Sequence, residues 1–104
     1  MSRRRPMERI GDLLPEAARH LGLEAELRAA RARTTWTAIV GERAPAAAGA
    51  CRLVAIDGRG LVVDADAPIV AQELRLRSIE LLEAFSAAPG GFRATELRIR
   101  VRSG

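Results

Sequence analysis

Apolar residues recur along the first forty positions at spacings of three and four. Ile10, Leu13, Leu14, Ala17, Ala18 and Leu21 fall on one arc of a helix over residues 7–21. Pro15 either bends that helix or opens its main part, and Gly22 marks a break after it. A second, longer helix is predicted over residues 23–40, with two apolar stripes. Leu23, Leu27, Ala30 and Thr34 line one side; Ala25, Ala29, Ala32, Trp36 and Ile39 line roughly the opposite one. A helix with two apolar faces is sandwiched, so the first helix is expected on one side and a sheet on the other. Trp36 is the only tryptophan, in a chain with two Phe and no Tyr. With Ile39 and Val40 it reads as a core anchor, a partner hot spot being the lesser alternative. Gly41 is expected to end the helix at positive φ.

The period then changes from about 3.6 to 2. Residues 44–50 are an Ala/Pro/Gly connector, and Cys51 to Asp57 reads as a strand. Gly58-Arg59-Gly60 is a tight turn, and Leu61 to Asp66 is the strand's hairpin partner. Pro68 suits the first turn of a helix that runs to about Phe85, with Val70, Leu74, Leu81, Leu82 and Phe85 on its packed face. Pro89-Gly90-Gly91 stops it, and a strand from Ala94 to Arg102 closes the chain. The order α-α-β-β-α-β predicts an α+β fold, a three-stranded sheet with helices packed on one face. Residues 1–6 are expected to be a flexible basic arm, and residues 7–104 a single domain.

Charge changes the picture more than overall composition does. All 17 basic residues are arginine, against 13 carboxylates, a net of +4. Residues 1–10 carry Arg3, Arg4, Arg5 and Arg9 against Glu8; residues 93–102 carry Arg93, Arg98, Arg100 and Arg102 against Glu96. Positive charge at both ends of a slightly acidic middle points to nucleic acid, the bland alternative being solubility. No apolar run is long enough to span a bilayer. The single cysteine, Cys51, excludes an internal disulfide, and the simplest localisation is cytoplasmic.

Enzyme readings lack parts. Without lysine there is no phosphate-loop Lys and no Schiff base. His20, the only histidine, and Cys51 are placed far apart with no third group to orient them. Neither a four-ligand zinc site nor a calcium loop can be assembled, and Asp57, Asp64 and Asp66 read as solvent-facing strand ends. No catalytic residue, metal, cofactor or small-molecule substrate is expected.

The sharpest physical feature is the last strand. Leu97, Ile99 and Val101 alternate with Arg98, Arg100 and Arg102. Successive side chains of a strand point to opposite faces, so the guanidiniums recur on one face about every 6.8 Å. Planar guanidiniums pair bidentately with phosphate oxygens. Arg98, Arg100 and Arg102, extended by Arg59, Arg3, Arg4 and Arg5, are therefore the candidate nucleic-acid contacts. With three aromatics in the chain, backbone binding is favoured over base stacking. A solvated charged face that discourages edge pairing is the equally weighted alternative. Ile69 and Leu76, near Glu73, Glu80 and Glu83, form a candidate partner-docking patch.

The Ile10-Gly11-Asp12-Leu13-Leu14 opening, the block Trp36-Thr37-Ala38-Ile39-Val40-Gly41, the hairpin, and Gln72-Glu73-Leu74 early in the last helix resemble the DciA family of bacterial replicative-helicase loaders. The resemblance spans about Met7 to Arg102. Val70 stands where the family usually carries an aromatic, so no role of that aromatic carries over. The resemblance implies a KH-like fold, with a replicative helicase and single-stranded or forked DNA as partners. The Gly-x-x-Gly clamp of RNA-binding KH domains is missing. A KH-like RNA-binding module and a protein adaptor without nucleic-acid binding remain the alternatives.

Overall fold

Strand β3 shows most simply how pattern becomes packing. In a computed structural model describing residues 4–102, with side chains from residue 18 onward, β3 spans Glu96–Val101. It lies parallel to β2 (Gly60–Ala65), which pairs antiparallel with β1 (Cys51–Asp57). The order across the sheet is β1-β2-β3. Alternation sends Leu53, Leu61 and Val63 to a buried inner face, with Leu97 and Ile99 packed beside them. Val54 is the extra residue of a bulge, where the register shifts between Leu53 and Ala55.

The helices cover that inner face. Helix α1 spans Arg4–Arg43, α2 Pro68–Leu76 and α3 Ser78–Ala87, with a 3-10 turn at Pro45–Ala47. Pro68 opens α2, where its missing N–H costs nothing. One apolar cluster joins Trp36, Ile39 and Val40 of α1 to Leu53, Leu61 and Val63 of the sheet and to Leu74, Leu81 and Phe85 of α2 and α3. Trp36 is 1% exposed, which settles it as core. The fold is α+β, with a three-stranded mixed sheet and helices on its inner face.

Four details depart from the expected pattern. First, α1 is continuous through Pro15 and Gly22, where two helices were expected, and it already includes Arg4 of the expected arm. Interior glycine costs about 1 kcal/mol and proline about 3, while the flanking Leu, Ala, Glu and Arg are the strongest helix formers. Across Gly22, His20 Nε2 lies 3.7 Å from Glu24 Oε2, an i,i+4 pair. Second, with no separate first helix, α1 is not sandwiched. Leu23 and Leu27 are 55% and 59% exposed, and the helix sets the 66 Å long axis. Third, Gly41 stays helical; α1 ends at Arg43, and Ala44, at φ −141° and ψ 61°, leaves the helical region and breaks it. Fourth, the helix after β2 divides at Arg77, whose N–H bonds to the carbonyls of Glu73 and Arg75. The hairpin turn needs one left-handed residue, Gly58 at φ 62°.

Candidate nucleic-acid interface

The outer face of the sheet follows from the register. Asp57, Gly60 and Glu96 form one row across the three strands, and Arg52, Asp64 and Arg100 form another. Between them, Val62 pairs with Arg98. Period 2 therefore does bring Arg98 and Arg100 out on one face. Arg102 follows just past the strand, exposed, its N–H donating to the Ala65 carbonyl at 2.8 Å.

The face is nevertheless not a bare cationic strip. Arg98 Nη1 donates to Asp57 Oδ2 at 2.8 Å, and Arg98 Nε lies 3.2 Å from Glu96 Oε2. Gly60 carries no side chain, so nothing rises in the Asp57–Glu96 row beneath this bridge. A Cβ there would stand 3.1 Å from the Asp57 carbonyl oxygen. Arg100 Nε donates to Asp64 Oδ1 at 2.9 Å. Arg52 pairs with Asp66 at 3.1 Å. The aspartates read as solvent-facing strand ends are the acceptors. Donating hydrogen bonds to Glu96 and then to Asp57 holds the Arg98 guanidinium more firmly protonated than usual. Three arginines meet four carboxylates on this face, and Arg102, which pairs with none among the described residues, brings its formal charge to balance.

Arg59 sits exposed on the β1–β2 turn, with no carboxylate within ion-pair distance among the described residues. Arg3 lies outside the described residues. Arg4 and Arg5 fall within α1, but their side chains lie outside the described ones.

Ile69 and Leu76 are on the surface as expected, 71% and 74% exposed, and Ile79 joins them at 73%. Of the neighbouring acids, Glu73 and Glu80 are paired, while Glu83 forms no ion pair among the described residues. Arg77 Nε donates to Glu73 Oε2 at 2.7 Å and raises the Arg77 pKa from its ordinary value; Arg77 and Arg43 approach Glu80 at 3.6 and 3.8 Å. The patch is apolar with a partly neutralised rim. It borders a groove lined by Ala46, Val70 and Gln72.

Sequence reasoning counted Arg93 in the basic C-terminal cluster but named none of Arg28, Phe92 and Arg93 as a site residue. The Arg28 guanidinium lies 4.8 Å over the Phe92 ring, and Phe92 meets Phe85 edge-on at 5.2 Å. The signal available was Phe92-Arg93 beside a glycine pair; the pairing with Arg28 is tertiary. Cys51 is half-buried and far along the chain from His20. Burial pushes its thiol up, against a smaller opposing pull from the Trp36 indole N–H. Among the described residues no group of three His, Cys, Asp or Glu could hold a metal ion, and no helix is long and apolar enough to cross a membrane.

What remains is a small α+β domain whose chemistry resides in the placement of arginines on its surface. A comparison with protein-family models matches residues 9–101 to the family described as "Dna[CI] antecedent, DciA". The chain belongs to the DciA family, which is associated with replication and the loading of the replicative helicase. No curated protein matches the chain.

Proposed function

We propose that this protein is a non-enzymatic, cytoplasmic accessory module of replication initiation. It binds DNA and the replicative helicase and helps the helicase ring engage single-stranded DNA. The family match across nearly the whole chain carries the reading. The exposed Ile69, Leu76 and Ile79 support a docking role: three large apolar side chains on adjacent helices are left 71–74% exposed by this chain.

The test is gel filtration of the purified protein with its cognate helicase at low salt, beside binding of matched single-stranded DNA, duplex DNA and RNA. Co-elution that Ile69→Asp/Leu76→Asp abolishes is the expected result. Absence of co-elution sinks the helicase partner. The balanced charge of the outer sheet face favours a second reading, a pure protein adaptor. Co-elution with no salt-dependent binding to any polyanion would establish that reading instead.

A further inference from the structure

Apart from Arg102, the unpaired positive charge of the described residues is not where the strand alternation puts it. Residues 18–102 hold thirteen arginines and ten carboxylates. Five of those arginines are Arg28, Arg31, Arg33, Arg59 and Arg93, and all five are exposed. The other eight and the ten carboxylates sum to −2, and of those eight Arg19, Arg75 and Arg102 are also exposed and form no ion pair among the described residues. Among the described residues none of the five forms an ion pair. Each pair found there uses Arg43, Arg52, Arg77, Arg98, Arg100 or His20.

Three elements carry Arg28, Arg59 and Arg93 toward the hairpin end of the sheet. The Thr95 N–H donates to the Arg59 carbonyl at 2.9 Å, which ties the β1–β2 turn to the segment entering β3. Arg93 lies two residues before Thr95, and Phe92 beside it carries the Arg28 guanidinium on its ring. Arg28, Arg59 and Arg93 are thus linked through one aromatic contact and one backbone bond. Arg31 borders the neighbouring Pro89–Gly90 loop, and Arg33 borders Ala55 and Ile56 of β1.

Resting on the DNA-binding reading above, we infer that the phosphate backbone of single-stranded nucleic acid is gripped at this hairpin end, by Arg28, Arg59 and Arg93, and not along the outer face of β3. A phosphate approaching Arg98 or Arg100 must displace a carboxylate that stays next to it and repels it. A phosphate approaching Arg59 or Arg93 displaces no ion-paired carboxylate among the described residues, although Glu83 lines the same groove as Arg93. Stacking on Phe92 also holds Arg28 extended before any ligand arrives, which lowers the ordering cost of binding.

The test is fluorescence anisotropy with a labelled oligothymidylate of about 25 nucleotides, from 50 to 200 mM salt. The proteins are wild type, Arg28→Gln/Arg59→Gln/Arg93→Gln, the pair Arg59→Gln/Arg93→Gln, and Arg98→Gln/Arg100→Gln. Each removed phosphate contact lowers the log–log salt slope by about 0.7. The triple variant is therefore expected to lose about 2 units of slope. Its deficit at 50 mM should shrink about 16-fold by 200 mM. The Arg98/Arg100 variant should keep the wild-type slope. The pair Arg59→Gln/Arg93→Gln leaves the Phe92 stack intact, so a lost slope there is not a folding defect. The inference is overturned if the Arg98/Arg100 variant loses the slope and the others keep it, or if all lose it equally. Wild-type protein that ignores the oligonucleotide at 50 mM would instead sink the DNA-binding reading itself.

Discussion

Replacing Gly22 by alanine discriminates between two architectures for the first forty residues. In the structure Gly22 is helical; it is not among the positive-φ glycines, which are Gly49, Gly58 and Gly90. A Cβ built on it meets nothing within 4 Å. The substitution therefore has no steric cost, and it gains the helix-interior difference between Gly and Ala, about 1 kcal/mol. Part of that gain is entropy removed from the unfolded chain. Were Gly22 the left-handed terminator of a separate first helix, alanine would cost about 1–2 kcal/mol there. The two architectures predict opposite signs. The assay is far-ultraviolet ellipticity with the denaturant midpoint, plus amide exchange across Leu21–Leu27 to catch a gain confined to the projecting part of α1. Gly22→Ala should raise ellipticity and slow exchange. Lower ellipticity in Gly22→Ala, together with retention in Gly22→Asn, would refute the continuous helix, because asparagine tolerates the left-handed region.

Three further substitutions or measurements follow. Phe85 is fully buried, so Phe85→Ala should lower unfolding free energy by about 3–5 kcal/mol in urea titration. Gly91→Ala places a Cβ against the Phe85 carbonyl oxygen, backbone that cannot swing away; a loss of about 1–3 kcal/mol is expected, measured the same way. The raised Cys51 pKa means the folded protein holds the thiol proton longer than the unfolded chain. Its stabilising contribution is full below the ordinary thiol range, near about 8.5, and is lost as pH rises through the folded value. Iodoacetamide should accordingly alkylate Cys51 more slowly in the folded protein than in urea at about pH 8.

Features that depend on one element's own period were readable from the residues. Alternation in β3 placed Leu97 and Ile99 inside and Arg98 and Arg100 outside, because a strand has two faces whatever it pairs with. The packed face of α2 and α3 was readable likewise, from Val70 to Phe85. What pairs with what was not readable. Asp64 meets Arg100 only because β2 and β3 run parallel in one register across a two-helix crossover, and nothing local to either strand encodes that. Single-residue punctuation misled at Gly22 and Gly41. A glycine permits a break but does not require one, and the neighbouring helix formers decide.

The arrangement on the outer sheet face has a physical logic of its own. Antiparallel and mixed sheets with one solvated face commonly carry charge there, and an arginine strand at a sheet edge discourages pairing with other chains. Unpaired, Arg98 and Arg100 would lie about 6.8 Å apart and repel each other. Asp57, Glu96 and Asp64 remove that repulsion, and as exposed, solvent-screened pairs they add little to stability. Neutralising the carboxylates should then uncover the strip that the strand pattern alone would present. Asp57→Asn/Asp64→Asn is expected to strengthen polyanion binding and steepen its salt dependence by about 1–2 units, at little cost in stability. Affinity that does not change would mean that Arg98 and Arg100, even when released, do not present a surface that phosphate can follow.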